Sequence, residues 1–284
     1  MSQSSKKELV YEQCPPENPC LNGLPVGAEF VFDRQARAHI ILACKQLNKT
    51  MLGLSRKPSY WDLPVCLQAK LVSMQLRVGA YIAASKGLPA SAWHVEIHLG
   101  TWVSGSHIHA HVVLPTGPYF EIREEVARAQ GRGYMCRNDQ ANRKAYVEKT
   151  AADQQHYKEL DLPLVQQAAR SEIPPPTCTQ THFESISFDA DAKGTAAIDV
   201  KFSKAFMPAM PQEELTNALS HLWQLCQELQ IEGCHLLLPA PDYASWQFVR
   251  LVLPAERFVA CLPISDREAW LMKWVNGNPH HEAH

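Results

Sequence analysis

A run of seven residues, His107–Val113, carries histidine at its first, third and fifth positions, with apolar residues between them. Because successive side chains of a β-strand point to opposite faces, a strand here would place three imidazoles on one face and an apolar row on the other. The preceding Ser104, Gly105 and Ser106 form a small, flexible stretch whose backbone N–H groups can approach an anion. This combination indicates either a metal site or nucleophilic catalysis by histidine at phosphorus.

The sequence around this strand resembles one known superfamily. His-Ile-His-Ala-His-Val-Val resembles the signature of the histidine triad superfamily, in which His-x-His-x-His is followed by two apolar residues. A second block, Gln35–Lys45, resembles the family's earlier turn and strand, and a long amphipathic helix lies between the two blocks. The resemblance covers about residues 27 to 120. It implies an α+β fold in which an antiparallel sheet packs against the long helix.

The resemblance also implies a reaction and a nucleophile. Enzymes of this superfamily attack the α-phosphate of a nucleotide with the middle histidine, here His109, and form a nucleotidyl-histidine intermediate that water then hydrolyses. The other ring nitrogen of His109 needs a hydrogen-bond acceptor, and a strand carbonyl is the expected one. His107 and His111 would donate to phosphoryl oxygens or to the leaving group. The chain is therefore expected to be a nucleotide hydrolase.

The remaining positions of the family's motif match this chain only in part. Gly105 and Ser106 would bind the phosphate, and His39 falls where the family places a fourth histidine, on the leaving-group side. The family usually holds the ribose with Asp and Asn, but Val31 and His98 stand at those places in this chain. Recognition of sugar and base is therefore open, and Asp33 lies close enough to Val31 in sequence to serve instead. His94 and His98 share one strand face and are interpreted as satisfied surface or core histidines, with an approach to the site as the alternative.

Two other kinds of protein compete with the hydrolase. A tandem nucleotidyltransferase or dinucleoside-polyphosphate phosphorylase shares the plan, but such relatives typically carry Gln at the third triad position, so His111 favours the hydrolase. A non-catalytic nucleotide-binding or scaffold protein is favoured by the altered ribose positions and opposed by the intact triad. A zinc site would need the three rings to converge on one point. We expect no metal and no cofactor.

Composition limits the partners and the compartment. With 284 residues and 46% hydrophobic residues the chain can form one or two globular domains. The formal net charge of -2 gives no broad basic field. The expected partner is therefore a nucleotide or a nucleotidylated small molecule, and a nucleic-acid end is not supported by the charge. No stretch is apolar enough to span a membrane or act as a signal peptide.

Nine scattered cysteines, an odd number, suit a reducing compartment better than a disulfide framework. The chain is expected to be cytoplasmic, with the nucleus left open. Cys14 and Cys20 are separated more widely than typical zinc ligands and are interpreted as loop cysteines.

Four segments are expected along the chain: an extended arm over residues 1–26, a catalytic module over 27–120, a charged helical connector with a Pro-rich linker over 121–180, and a second module over 181–275. Within the first module, Asp62 is expected to cap a helix that ends at Gly87. The predicted strands are Glu29–Asp33, His39–Cys44, Trp93–Leu99, His107–Leu114, Ala196–Phe202, Cys234–Leu238 and Trp246–Leu253.

The second module is expected to be a degenerate copy of the first. His111-Val-Val-Leu-Pro aligns with Arg250-Leu-Val-Leu-Pro, and in this register Trp246, Phe248 and Arg250 replace the three triad histidines. A helix with leucines at helical spacing follows Pro211. If the second module pairs with the first as in a dimer, the chain forms a pseudo-dimer, is a monomer and has one active site.

Overall fold

The computed structural model describes residues 10–11, 29–32, 38–50, 52–103, 105–129, 144–145, 148, 159–178, 182–188, 196–206, 208–240 and 246–276. Its strands are β1 (Val10–Tyr11), β2 (Glu29–Phe32), β3 (His39–Asn48), β4 (His94–Gly100), β5 (His107–Val113), β6 (Ser185–Ser187), β7 (Ala197–Lys201), β8 (Gly233–Leu238) and β9 (Phe248–Val252). Its helices are α1 (Val65–Ser85), α2 (Thr116–Ala129), α3 (159–169), α4 (Gln212–Glu228), α5 (Ala255–Cys261) and α6 (Ile264–Asn276).

All nine described strands belong to one antiparallel sheet in the order β1-β2-β3-β5-β4-β8-β9-β7-β6. The predicted α+β class with an antiparallel sheet and a long helix is therefore confirmed. Reading outward from the β4–β8 pair, the first half contributes β4, β5, β3, β2 and β1 and the second half β8, β9, β7 and β6, so the first four strands of each half follow the same order of neighbours. The sheet passes from one half of the chain to the other without a break.

The β4–β8 pair joins the two halves with a symmetric register. Glu96, which pairs with His111, lies opposite Leu237, which pairs with the aligned Arg250, so equivalent positions of the two halves face each other. At one end of the pair, Gly100 adopts a positive φ of +58°, and a Cβ added there would lie 1.9 Å from the carbonyl oxygen of Glu232. A glycine is needed at this position because the two backbones approach closely.

The two long helices, α1 and α4, pack against each other, and each buries an apolar face. Each begins directly after a proline, Pro64 or Pro211, the position that suits a residue without a backbone N–H. Between the helices the Trp223 indole N–H donates to the side-chain oxygen of Gln68, whose amide in turn donates to the carbonyl of Leu63 at 2.8 Å. The predicted apolar stripes of both helices lie in the core, where each fully buried leucine contributes about 1.5–3 kcal/mol.

The sheet has an apolar face and a polar face. On β5 the even-numbered residues Ile108, Ala110 and Val112 are at most 1% exposed and belong to the core. Side chains of directly paired residues point to the same side of a sheet. Pairing therefore places the odd-numbered β5 residues on the polar face together with the following partners on β3, β4, β8 and β9: His39, Glu96, His98, His235 and Arg250.

Several predicted boundaries differ from the structure. Asp62 does not cap α1: its carboxylate instead accepts from the backbone N–H of Ser59 at 2.7 Å and pairs with Arg56. Strand β3 runs to Asn48, four residues beyond the prediction, after an irregularity in its pairing with β5. The predicted module boundary at residue 120 falls inside α2.

The segment 121–180 is more than a solvated connector. In α3, Val165 is completely buried in the core. Arg267 of α6 is 1% exposed and donates to the carbonyl oxygens of Ser171 at 2.7 Å and Ile173 at 2.9 Å. These bonds fasten the Pro-rich linker to the C-terminal half.

The predicted arm over residues 1–26 lies outside the described residues, except for β1, which pairs with β2. Cys14 and Cys20 are also outside them. Among the helices that are described, none has both the length and the apolar character needed to cross a membrane.

Candidate active site

Three strands position a cluster of side chains on the polar face of the sheet. β5 supplies His107, His109 and His111, and its neighbour β4 supplies Glu96 and His98. The ring centroids of His109 and His111 are 5.1 Å apart, and that of His98 lies 6.0 Å from His109 and 4.9 Å from His111. On the opposite side of His111, the ring of His39 on β3 meets it edge-on at 5.4 Å.

The tautomer of His109 follows from one hydrogen bond. Its Nδ1 lies 3.0 Å from the backbone carbonyl oxygen of His107. A carbonyl oxygen can only accept, so Nδ1 carries the proton and donates it. In the neutral form of the ring, Nε2 is therefore the nitrogen that carries the electron pair. The acceptor expected from the sequence, a strand carbonyl, is the carbonyl of the first triad residue.

The turn before β5 lies against the ring of His109. A Cβ added at Gly105 would be 2.4 Å from Cε1 and 2.7 Å from Nδ1 of that ring. Only glycine leaves room for the imidazole here, because real Cβ contacts do not become this short. Ser106 is exposed, and its hydroxyl lies 3.4 Å from Nδ1 of His107. Ser104 is outside the described residues.

His111 is the buried member of the triad. It is 3% exposed, and neither ring nitrogen has a hydrogen-bond partner among the described residues. Burial lowers the pKa of His111 well below its usual value, and the neighbouring His109, His39 and His98 act in the same direction against the opposing effect of Glu96. His111 is therefore neutral near pH 7.

Glu96 holds two histidines from opposite halves of the chain. Its Oε1 lies 3.0 Å from Nε2 of His98 and 2.9 Å from Nδ1 of His235. Burial alone would raise the pKa of Glu96, but the hydrogen bonds from His235 and His98 outweigh it and hold the pKa well below its usual range. The carboxylate is therefore ionised, and it accepts one hydrogen bond from a ring N–H of each histidine.

Among the residues that the structure describes, two sets of three side chains could hold a metal ion. Ligand atoms of His98, His109 and His111 lie within 4.8 Å of one another, and so do those of Glu96, His98 and His235. The two sets share His98.

Of the residues singled out from the sequence, the structure brings His39, His107, His109, His111 and Gly105 close together. Ser106 is at the edge of the group. Other residues of the cluster were not assigned to the site from the sequence.

For His98 the structure shows the alternative that the sequence left open, an approach to the site, since its ring lies beside those of His109 and His111. Glu96 and His235 were not considered. The alternation of β4 could have indicated Glu96, which lies between the two histidines already noted. His235 is brought in by the β4–β8 pairing, which no local pattern reveals.

In the second half, the position aligned with His111 is structurally equivalent. Arg250 lies opposite Asp199 on β7, as His111 lies opposite Ile41 on β3. The Arg250 guanidinium donates to both carboxylate oxygens of Asp199, at 2.7 and 2.9 Å. Such a bidentate ion pair holds the guanidinium against the Asp199 carboxylate. None of the three positions of this half that align with the triad is a histidine.

Comparison with known proteins leaves the family open. No protein-family model and no curated protein matches the chain. A GalT-like protein from Arabidopsis thaliana, solved by X-ray, shares 11% identity at a TM-score of 0.35, over 86% of this chain and 73% of that one. A uridylyltransferase mutant shares 15% identity at a TM-score of 0.34, over 83% of this chain and 78% of that one. Similarities this low establish neither a shared fold nor a shared activity.

Proposed function

We propose that the chain is a nucleotide hydrolase that acts at an α-phosphate through a nucleotidyl-histidine intermediate. The observation that carries the proposal is the 3.0 Å hydrogen bond from Nδ1 of His109 to the carbonyl oxygen of His107. It assigns the proton to Nδ1, so that Nε2 is the nitrogen that carries the electron pair when this part-exposed ring is neutral. A neutral imidazole held in one tautomer is a competent nucleophile near neutral pH.

The proposed reaction has two displacements at phosphorus. In the first, Nε2 of His109 bonds to the α-phosphorus while the bond from phosphorus to the leaving group breaks, and the leaving group departs with the bonding electron pair and gains a proton. In the second, water attacks the same phosphorus and gives up a proton that replaces the one taken by the leaving group, the phosphorus–nitrogen bond breaks and the nucleoside monophosphate leaves. The imidazole returns to its neutral form, so no external co-reactant besides water is needed.

The neighbouring side chains would assist without forming the covalent bond. Neutral His111 can donate one ring N–H to a phosphoryl oxygen, and His107 can do the same from the open end of the strand. Backbone N–H groups at Gly105 and Ser106 would stabilise developing charge. The ring of His39 contacts the ring of His111, and this contact is the basis for proposing that His39 lies on the leaving-group side.

We further propose that the chain is a duplicated module, with residues 27–120 catalytic and 181–275 a degenerate copy in a pseudo-dimer. The arm over 1–26 and the connector over 121–180 lie outside these modules. Support comes from the matching neighbour order on either side of the β4–β8 pair. The two halves also share one backbone hydrogen bond. The N–H of the residue directly after β5 donates to the carbonyl of the residue directly before β3, and the N–H directly after β9 donates to the carbonyl directly before β7.

A trapping experiment tests the covalent step. The full chain is mixed briefly with ATP, a dinucleoside tetraphosphate or adenosine 5′-phosphoramidate, each radiolabelled at the α-phosphate, and then denatured. We expect protein-bound label that acid releases and alkali does not, as for a phosphoramidate, and that maps to His109 by peptide mass spectrometry. The variant His109→Ala should take up no label, whereas His221→Ala, changed on α4 outside the cluster, should label normally.

The products distinguish the alternatives. Transfer of the label to an added phosphate or sugar phosphate in preference to water would favour a nucleotidyltransferase or phosphorylase. Nucleotide binding without label or turnover would favour a non-catalytic nucleotide-binding protein. Turnover by His109→Ala within a few-fold of wild type would contradict the proposed mechanism.

A further inference from the structure

Three imidazole rings on the polar face converge on one point. The ring nitrogens offered by His98, His109 and His111 all lie within 4.8 Å of one another. The rings come from two adjacent strands, so the backbone of the sheet fixes their separation. His107, the first residue of the triad, is not part of this set.

Hydrogen bonds determine which nitrogen each ring presents. His98 gives its Nε2 proton to Glu96, and Nδ1 of His98 is buried with no partner among the described residues. His109 gives its Nδ1 proton to the carbonyl of His107, which leaves Nε2. Both nitrogens of the buried His111 have no partner in the part of the chain that the structure describes. One of these nitrogens belongs to the set whose members lie within 4.8 Å of one another.

Nδ1 of His98 and both ring nitrogens of His111 are buried without a partner among the described residues, and a buried electron pair needs a positive charge or a proton donor beside it. A single transition-metal ion bound by His98, His109 and His111 would meet this requirement. The 3.0 Å bond from Nε2 of His98 to Glu96 supplies the outer carboxylate that such sites use to orient a metal-binding histidine. The negative charge of Glu96 also offsets part of the charge of a divalent ion.

We propose that His98, His109 and His111 form a binding site for a divalent transition metal of the zinc type, with Glu96 as the positioning carboxylate. An all-nitrogen set of three imidazoles suits Zn²⁺, Co²⁺ or Ni²⁺ and not the oxygen-seeking Mg²⁺ or Ca²⁺. Since Nε2 of His109 would be a ligand, bound metal and a nucleotidyl group on this atom exclude each other. This last consequence rests on the proposed function; the metal site itself does not.

The test measures metal binding directly. The full chain is freed of metal with a chelator, and Zn²⁺ binding is followed by calorimetry and Co²⁺ binding by its visible d–d absorption. His98→Asn and His109→Asn should each weaken the site about 100-fold or more, beyond the roughly 10- to 100-fold expected for the outer-shell change Glu96→Gln. His182→Asn, changed outside the cluster, should leave the affinity unchanged. Circular dichroism confirms that each variant is folded.

The sequence also contains His280, His281 and His284 near its end, so binding counts for the site only if it is lost in the ligand variants. Binding that survives both His98→Asn and His109→Asn would overturn the proposal. So would a site that requires His235 as strongly as His98 and not His109, which would place the ion in the other set of ligands. Because no nucleotide is present, this result is independent of the labelling experiment. If both proposals hold, saturating Zn²⁺ prevents labelling of His109.

Discussion

His98 and His235 stack face to face, with ring centroids 4.1 Å apart and planes 7° from parallel. The two residues are directly opposite each other in the β4–β8 pair, although they belong to different halves of the chain. The ring of Trp102 also meets that of His235 edge-on, with ring centroids 4.7 Å apart. The histidine cluster of the first half is therefore completed by a side chain of the second, and the two halves share one site.

Gly105→Ala should impair activity without unfolding the protein. The added methyl group would lie 2.4 Å from Cε1 of His109 and displace the ring. A misplacement of this kind can lower kcat/KM by about 100-fold. Steady-state kinetics on whichever nucleotide labels the wild type measure this. Gly117→Ala is the matched control, because a Cβ at Gly117 meets nothing within 4 Å. Equal kinetics for the two variants would show that the turn does not position His109.

Glu96→Ala should destabilise the fold by about 1–3 kcal/mol, since it removes the acceptor of both His98 and His235 at a part-buried position. Urea unfolding followed by circular dichroism measures the change. Glu125→Ala is the comparison, because its ion pair with Lys86 is exposed on the Glu125 side and worth about 0–1 kcal/mol. An equal effect of the two substitutions would mean that Glu96 does not hold the histidines.

Arg267→Ala should release the Pro-rich linker. Its guanidinium donates to four carbonyl oxygens, including those of Ser171 and Ile173, and losing it leaves buried acceptors unpaired at a cost of about 1–3 kcal/mol. Faster amide hydrogen exchange over residues 171–176 is the expected signature. Arg170→Ala, at an exposed position, should leave exchange unchanged. Unaltered exchange in Arg267→Ala would indicate that other contacts hold the linker.

Cys44 should resist alkylation where Cys66 does not. Burial raises the pKa of the Cys44 thiol to about 11, whereas Cys66 is exposed. The thiolate is the reactive form, so at pH 8 almost no Cys44 is reactive, and its labelling should increase as the pH rises toward 11 while the fold persists. Peptide mass spectrometry after timed treatment with iodoacetamide measures both sites. Comparable labelling rates at pH 8 would show that Cys44 is accessible in the native protein.

The chain should be a monomer in solution. An unpaired strand edge is a site for association, and in this chain β8 already covers the edge of β4. Light scattering coupled to size-exclusion chromatography should give a mass near 31.9 kDa. A mass near twice this value would count against the pseudo-dimer proposal.

The local parts of the site were predictable because they depend on short-range geometry. Alternation along β5 placed the three triad histidines on one face, and the apolar stripe of α1 predicted its burial. The role of Glu96 was not predictable in the same way, because a carboxylate on a strand is usually solvated.

His235 could not be assigned to the site, since its position depends on pairing between strands of different halves. The end of β3 was missed because polar residues up to Asn48 continue a strand that an apolar pattern alone would end at Cys44. The burial of Val165 depends equally on distant contacts, and its surroundings in sequence are strongly charged.

The pairing of β4 with β8 also determines when the fold can be completed during synthesis. Residue 100 leaves the ribosome long before residue 233, and at ordinary elongation rates the interval is on the order of ten seconds. During that time β4 is an edge strand without its partner. Contacts so distant in sequence form slowly even in the free chain. The nascent first half is therefore the stage at which this protein most needs protection from pairing with another copy of itself.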